Sequence, residues 1–350
     1  MGVKGLMVWL KKTFPDSFTA PAREVDHLLV DANSLVHDSI RHCSNEQKAI
    51  RRLLSSLDKV VAAHQPSRSI IVALDGPAPF AKLATQRSRR LKKATGGKGL
   101  SPNAVTPGTS FMALVDEALL GWGSARASRA RPQTIVIDPA TSPGEGEVKI
   151  FRHRSSSGGE TTAVVGGDSD LVLLSLAAPS CEGIQVVDSK TKSAFCCQSL
   201  RQLLSRDGGS PRERLDSFVV LCLFCGNDYS ASVEGFDINT AYAAWDGSGR
   251  PTLVRRSPFE LNLPELGKLC AAMGGRRRRE ADPTMYMSTS IPMPTFMPAC
   301  PRLCVSTFMT ACPRVCPFIC PFPWLAGGGS SSRPCPFKLR SRQWHTRGRC

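Results

Sequence analysis

HLLVDANSLVH at 27–37 decides the fold, and IIVALD at 70–75 and AVVGGDSD at 163–170 repeat its design. Each is a short apolar run that ends on an aspartate. Such runs read as strands buried on both faces, the mark of a parallel sheet. In an open α/β sheet, ligands bind just outside the carboxyl ends of the strands. Asp31, Asp75 and the pair Asp168 and Asp170 are therefore expected to meet at one edge of the sheet.

Two further segments extend the acidic set, PGEGE at 143–147 with Glu145 and Glu147, and GNDY at 226–229 with Asp228. That many like charges share a small site only when cations neutralise them. Oxygen ligands without accompanying His or Cys favour Mg²⁺ or Mn²⁺. A two-metal phosphoryl-transfer site is the expectation. Glu145 and Glu147 fall in the first turn of an expected helix, where the helix dipole favours anions. The small Gly144 and Gly146 let the backbone approach closely, and Gly166 and Gly167 signal a tight approach to metal or phosphate before Asp168 and Asp170, which alternate along an extended loop. Asp138 and Asp188 also follow strands, and read as helix N-caps rather than ligands.

Outward from these segments, strands are expected at 28–30, 70–74, 134–137, 162–165 and 184–187. Helices are expected at the amino terminus, from about 45 to 63, at 82–93, at about 110–122 and over 143–154. Strand–helix alternation in units of roughly thirty residues argues a mostly parallel central sheet with helices on both faces. SASVEGFDINTAYAAW, after GNDY, reads as a loop into a helix.

Charge divides the chain. Residues 283–350 hold eight Lys/Arg and no acid, which leaves 37 basic and 29 acidic residues in 1–282, a net of +8. With the acidic cluster committed to metal, the remaining surface suits a polyanion, and nucleic acid is the commonest. Past GGRRRREAD (274–282) the chain carries eleven prolines, seven cysteines and an imperfect repeat, TFMPACPRLC (295–304) and TFMTACPRVC (307–316). That composition is expected to be disordered. The expected organisation is a folded α/β domain over 1–260, a basic linker over 261–282 and a low-complexity Pro/Cys-rich tail over 283–350. The seven scattered cysteines of 1–282 read as reduced thiols. MGVKGLMVWLKK is too short in apolar length for a signal peptide, no apolar run of 18 residues exists, and Leu6 breaks the acylation pattern. The expectation is a chain of the nucleus or cytoplasm without a membrane segment, and RRRR at 276–279 is a weak nuclear signal.

The residues resemble the Xrn-type 5′→3′ exoribonucleases, relatives of the flap endonucleases, from Met1 to about Ile238. The matching pieces are MGVKGLMVWL, LLVDANSLVHDSI, ALDGPAPFAKLATQRSRRLKK, SPNAVTPGTSFM, SPGEGEVKI, VVGGDSDLVLLSLA and FVVLCLFCGNDY, in family order. The resemblance implies a Rossmann-like PIN/flap-nuclease-type α/β fold. It also implies Mg²⁺-dependent hydrolysis of 5′-monophosphorylated single-stranded RNA, with two Mg²⁺ (or Mn²⁺) per site. Asp31, Asp75 and Glu147 would favour one metal, Asp168, Asp170 and Asp228 the other, with Glu145 nearby.

Lys82, Gln86, Arg89 and Arg90 stand at i, i+4, i+7 and i+8, so one helix face carries them. Such a face could clamp a terminal phosphate. The resemblance implies that these positions form the pocket for a 5′-monophosphate end and that His37 stacks on the terminal base. Nothing after about residue 260 resembles the second large region of that family. Two alternatives stay open, a flap or structure-specific DNA endonuclease and a truncated, inactive RNA-binding relative.

Overall fold

A computed structural model describes residues 2–41, 43–93, 100–127, 132–154, 159–188, 193–205, 210–233, 236–256, 259–280 and 343–345. In chain order the elements are α1 (Leu6–Thr13), β1 (Phe18–Thr19), β2 (His27–Asp31), α2 (Asn33–Ile40), α3 (Glu46–His64), β3 (Ser69–Ala73), α4 (Leu83–Lys93), α5 (Ser110–Ala127), β4 (Thr134–Asp138), α6 (Gly146–His153) and β5 (Thr162–Val165). There follow α7 (Asp170–Ala177), β6 (Ile184–Asp188), β7 (Ser193–Cys196), α8 (Cys197–Leu204), α9 (Pro211–Phe224), α10 (Ile238–Gly247), β8 (Val254–Arg256), β9 (Phe259–Leu261), α11 (Leu263–Glu280) and β10 (Gln343–His345). The chain divides into two compact units, Phe14–Leu200 with Trp324–Cys350, and Met1–Thr13 with Arg201–Pro323. The tail expected over 283–350 lies outside the described residues apart from β10.

The larger unit is built on an eight-stranded sheet in the order β1-β7-β6-β5-β2-β3-β4-β10. Its centre, β6-β5-β2-β3-β4, is parallel throughout, and β7, β1 and β10 add antiparallel edges. From β2 the chain steps one way to β3 and β4, then returns to the other side of β2 with β5. The order therefore reverses between β2 and β5, which makes a topological switch point there. This is the expected α/β architecture, a mostly parallel sheet with helices on both faces.

Alternation along the strands sorts the core. Leu28, Val30, Ile70, Val72, Ile135 and Ile137 pack against Leu35, Leu53, Phe111 and Leu119 from α2, α3 and α5. The intervening Leu29, Ile71 and Val136 are buried as well, and by strand alternation they face the side on which α6 crosses β2, β3 and β4. A sheet covered on both sides explains why its strands read as continuous apolar runs. Truncating such a residue, Leu28→Ala for example, typically costs about 2–5 kcal/mol. Asn45 caps α3 by accepting from the Lys48 amide, and Gln65 ends it in the left-handed conformation (φ 40°).

The smaller unit gathers aromatic rings. Trp9 of α1 stacks on Phe218 of α9 (6.2 Å between centroids) and meets Tyr242 of α10 edge-on (5.1 Å). Trp245 is fully buried and donates its indole N–H to Pro251 O at 2.9 Å. Asp237 caps α10 through the amides of Asn239 and Thr240, which places the helix expected after GNDY. The seven cysteines of residues 1–282 are free, in keeping with reduced thiols. Burial pushes the Cys222 thiol up, and the Cys225 thiol is pushed up to about 12 by burial and then by Asp237.

Candidate metal centre

Asp31 is the last residue of β2 and Asp75 lies two residues beyond β3, so both stand at the carboxyl edge of the sheet beside the switch point. Glu147 joins them from the first turn of α6, and ligand oxygens of the three lie within 4.8 Å of one another. Asp31 and Glu147 are buried and Asp75 is half-buried.

Hydrogen bonds fix the cluster. The Asn33 amide donates to Asp31 Oδ1 (3.2 Å), and Asn33 Oδ1 accepts from the Asp75 amide (3.3 Å). The Gly146 amide donates to Asp75 Oδ1 (2.7 Å). A Cβ at Gly146 would stand 2.8 Å from Asp31 Oδ1, so only glycine lets α6 begin this close to the carboxylates. Gly144 adopts φ +109°, which also favours glycine. Gly166 serves the protein rather than a ligand, because its Cβ would fall 2.3 Å from Leu171 Cδ1 and 3.3 Å from Asp31 Cβ.

Glu145 occupies the N-cap position of α6, is buried, and forms an ion pair with the equally buried Lys82. Lys82 ends a single 3₁₀ turn, Phe80–Lys82, so α4 begins one residue later than the sequence pattern implies. Asp168 lies near enough to Asp31 to raise its pKa, as does Glu145. Asp170 is not on an extended loop. It opens α7, because Ser169 is already helical (φ −68°, ψ −18°) and Asp168 Oδ1 accepts from the Asp170 amide at 3.3 Å. Asp228 belongs to the smaller unit, half-buried in a turn after α9 where Gly226 (φ +87°) and Asn227, accepting from the Tyr229 and Ser230 amides, set the bend.

The electrostatics follow from burial. Asp31 is pushed up to about 8, first by burial and then by the Asp75 carboxylate, against the opposing Asn33 amide. Burial likewise raises Asp75, with the Gly146 amide opposing. Glu147 is raised well above its usual range by burial, then by Glu145, Asp75 and Asp31. Three carboxyls whose pKa values are raised by burial and by one another, all offering oxygen, fit a hard divalent cation that would neutralise their charge.

Beside the cluster lies a hollow of about 120 Å³ lined by Asn33, His37, Asp75, Gln86, Asn103 and Met112, among others. His37 and Gln86, chosen from the sequence for a terminal nucleotide, line the same hollow as Asp75. Arg89 and Arg90 lie on α4, but their side chains fall outside the described residues.

Sequence reading missed three residues. Asn33 bridges the ends of β2 and β3, and its signal is an amide side chain two positions after a strand-ending Asp. Lys149 is completely buried, and its signal is a cation set between Val148 and Ile150, one turn beyond Glu145. Asp116, buried within the apolar FMALVDEALL of α5, accepts from the Ala140 amide at 2.8 Å and so fixes the loop leading to Glu145. Asp138 departs from the helix N-cap expectation. No helix starts after it, and its carboxylate instead meets Lys149 Nζ (3.2 Å) and His153 Nε2 (2.9 Å) of α6.

Three carboxylates whose oxygens converge at the switch point of a parallel α/β sheet define a candidate divalent-cation site. The particular family is given by the sequence. The family profile described as XRN 5'-3' exonuclease N-terminus matches residues 1–100 and 95–186, over half the chain, and the chain belongs to that family. It is similar to the 5'-3' exoribonuclease 2 of Eremothecium gossypii (25% identical, covering 68% of this chain and 36% of that protein). The same-named protein of Debaryomyces hansenii is 28% identical over 51% of this chain and 24% of its own length. The chain thus spans about a third or less of the relatives it matches. Among solved structures, the catalytic core of Rad2 in complex with DNA substrate aligns with a TM-score of 0.42 at 12% identity, over 83% of this chain and 76% of that one. The T5 D15 protein co-crystallised with metal ions aligns with a TM-score of 0.39 at 13% identity, over 65% and 76%. Among the described residues no helix is long and apolar enough to cross a membrane.

Proposed function

We propose that this chain is a divalent-cation-dependent 5′→3′ exoribonuclease that removes nucleotides from 5′-monophosphorylated single-stranded RNA. The observation that carries the reading is the convergence of Asp31, Asp75 and Glu147 within 4.8 Å in a chain of the XRN family. These three would hold one Mg²⁺ (or Mn²⁺), and Asp168 and Asp170, at the start of α7, would contribute to a second. When bound, such ions lower the pKa of an attacking water and stabilise the leaving oxygen. The chain's own groups do the rest. Asn33 and the Gly146 amide orient Asp31 and Asp75 for ligation. Lys82 holds Glu145 beside them. Gln86, which lines the hollow, would donate to a terminal phosphate, with Arg89 and Arg90 one turn further along α4. The His37 ring, which lines the same hollow, would stack on the first base, which needs no particular sequence.

The test uses the full chain with 5′-monophosphate, 5′-hydroxyl and capped single-stranded RNA and a DNA flap, each with Mg²⁺ and again with EDTA. Mg²⁺-dependent loss of the monophosphate RNA alone is expected. Cleavage of the flap in preference to RNA would replace this reading with a structure-specific endonuclease. RNA binding without hydrolysis in Mg²⁺ would make the chain a binding relative.

A further inference from the structure

Lys149 is fully buried, and its ammonium donates to Leu74 O (2.9 Å) and Pro139 O (2.9 Å) and forms an ion pair with Asp138 Oδ1 (3.2 Å). Asp138 is itself held from the far side by His153 Nε2 at 2.9 Å. A buried cation held by two carbonyls and a carboxylate acts as a rivet, since a shift would leave its charge unpaired. Its anchors belong to the ends of two strands. Leu74 precedes Asp75, Pro139 follows β4, and Lys149 itself lies two residues beyond Glu147.

We infer that Lys149 is a positioning residue for the cation site, its ammonium fixing α6 against the ends of β3 and β4 so that Glu147 faces Asp31 and Asp75. The inference rests on the cation-binding reading above. The backbone around it is already zipped, with the Gly76 amide donating to Gly144 O (2.8 Å) and the Leu74 amide to Asp138 O (3.0 Å). Those bonds hold the loop, whereas Lys149 alone among them reaches from the helix side to both strand ends.

The sign of one measurement separates positioning from charge. A fixed positive group near carboxylates repels an incoming cation, so removing Lys149 as a mere counter-charge would tighten metal binding. Removing a group that aims the ligands should weaken it, typically by about 10- to 100-fold. Mn²⁺ is therefore titrated calorimetrically into the full chain, comparing the parent with Lys149→Met. A double variant, Lys149→Met with Asp138→Asn, leaves no unpaired buried charge, and Lys149→Gln keeps an amide donor. Circular dichroism identifies the folded variants. A Mn²⁺ dissociation constant raised about 10-fold or more in the folded variants supports the inference. An equal or lower constant overturns it while leaving the cation reading intact. A parent that binds no Mn²⁺ overturns the cation reading itself, and is seen before any variant is made.

Discussion

The Gly146 amide donates a 2.7 Å hydrogen bond to Asp75 Oδ1, so the first residue of α6 is fastened to the carboxylate beyond β3. An added Cβ at Gly146 would lie 2.8 Å from Asp31 Oδ1 and 3.3 Å from Ala73 O. Gly146→Ala must push the helix away from the strand ends. The expected result is a loss of stability of about 1–3 kcal/mol, as for overpacked cores, together with weaker Mn²⁺ binding. Thermal melts and Mn²⁺ titration check it, and a variant matching the parent in both would show that the close approach has slack.

Neutralising a ligand should separate chemistry from folding. Asp31→Asn, Glu147→Gln or Asp168→Asn is expected to abolish RNA hydrolysis while leaving RNA binding within a few-fold. For Asp31 and Glu147 the metal-free protein should also melt at a higher temperature, because repulsion among buried carboxylates is relieved. Hydrolysis at the parent rate by Asp31→Asn would remove the carboxylates from the mechanism.

The metal-free protein should lose stability as pH rises. Asp31 is held at about 8 in the fold against an ordinary 3.8, and Asp75 and Glu147 are shifted the same way. Between those values the folded chain binds more protons than the unfolded one, so the unfolding free energy falls with increasing pH. The stability is fully present below the unfolded pKa and is lost by the time pH passes the folded one. Melting temperatures in EDTA are expected to decline from pH 5 to pH 8, and saturating Mn²⁺ should flatten that slope. A metal-free melting temperature that climbs over this range contradicts the raised carboxyls.

End selection should reside on α4. Gln86 lines the hollow beside Asp75, and a neutral donor contributes about 0.5–1.5 kcal/mol, so Gln86→Ala should slow decay of monophosphate RNA by roughly 2- to 10-fold. Arg89→Ala removes a charge-assisted contact and should cost on the order of 30- to 150-fold. Neither should affect 5′-hydroxyl RNA to the same extent. Initial rates on the two substrates decide it, and equal losses on both would dismiss a phosphate pocket.

The parallel strands were legible because each is a four- or five-residue apolar run doubly covered by helices, and β5 appears at 162–165 as read. The edges were not. β1 is two residues long and β7 is SAFC, too brief for any periodicity to form, and their pairing depends on each other rather than on local preference. The run FVVLCLF lies in a helix, α9, that starts with Pro211 and is buried on nearly every side, so its apolar residues carry no helical stripe. At the site, Asp31, Asp75 and Glu147 could be picked out from their strand-end and helix-start contexts. Lys149 and Asp138 could not, because their pairing joins two elements whose distance only the closed sheet sets.

The switch point between β2 and β5 also has a consequence in time. The carboxylates of the cluster come from β2, from beyond β3 and from α6, and α6 crosses the sheet after β4 has been added. A growing chain that has made β2 and β3 therefore owns two of the three oxygen donors but not the helix that completes them. Pairings this distant in sequence form late and cooperatively. On this view the carboxylate cluster is assembled last, and its three members meet only once the sheet has closed.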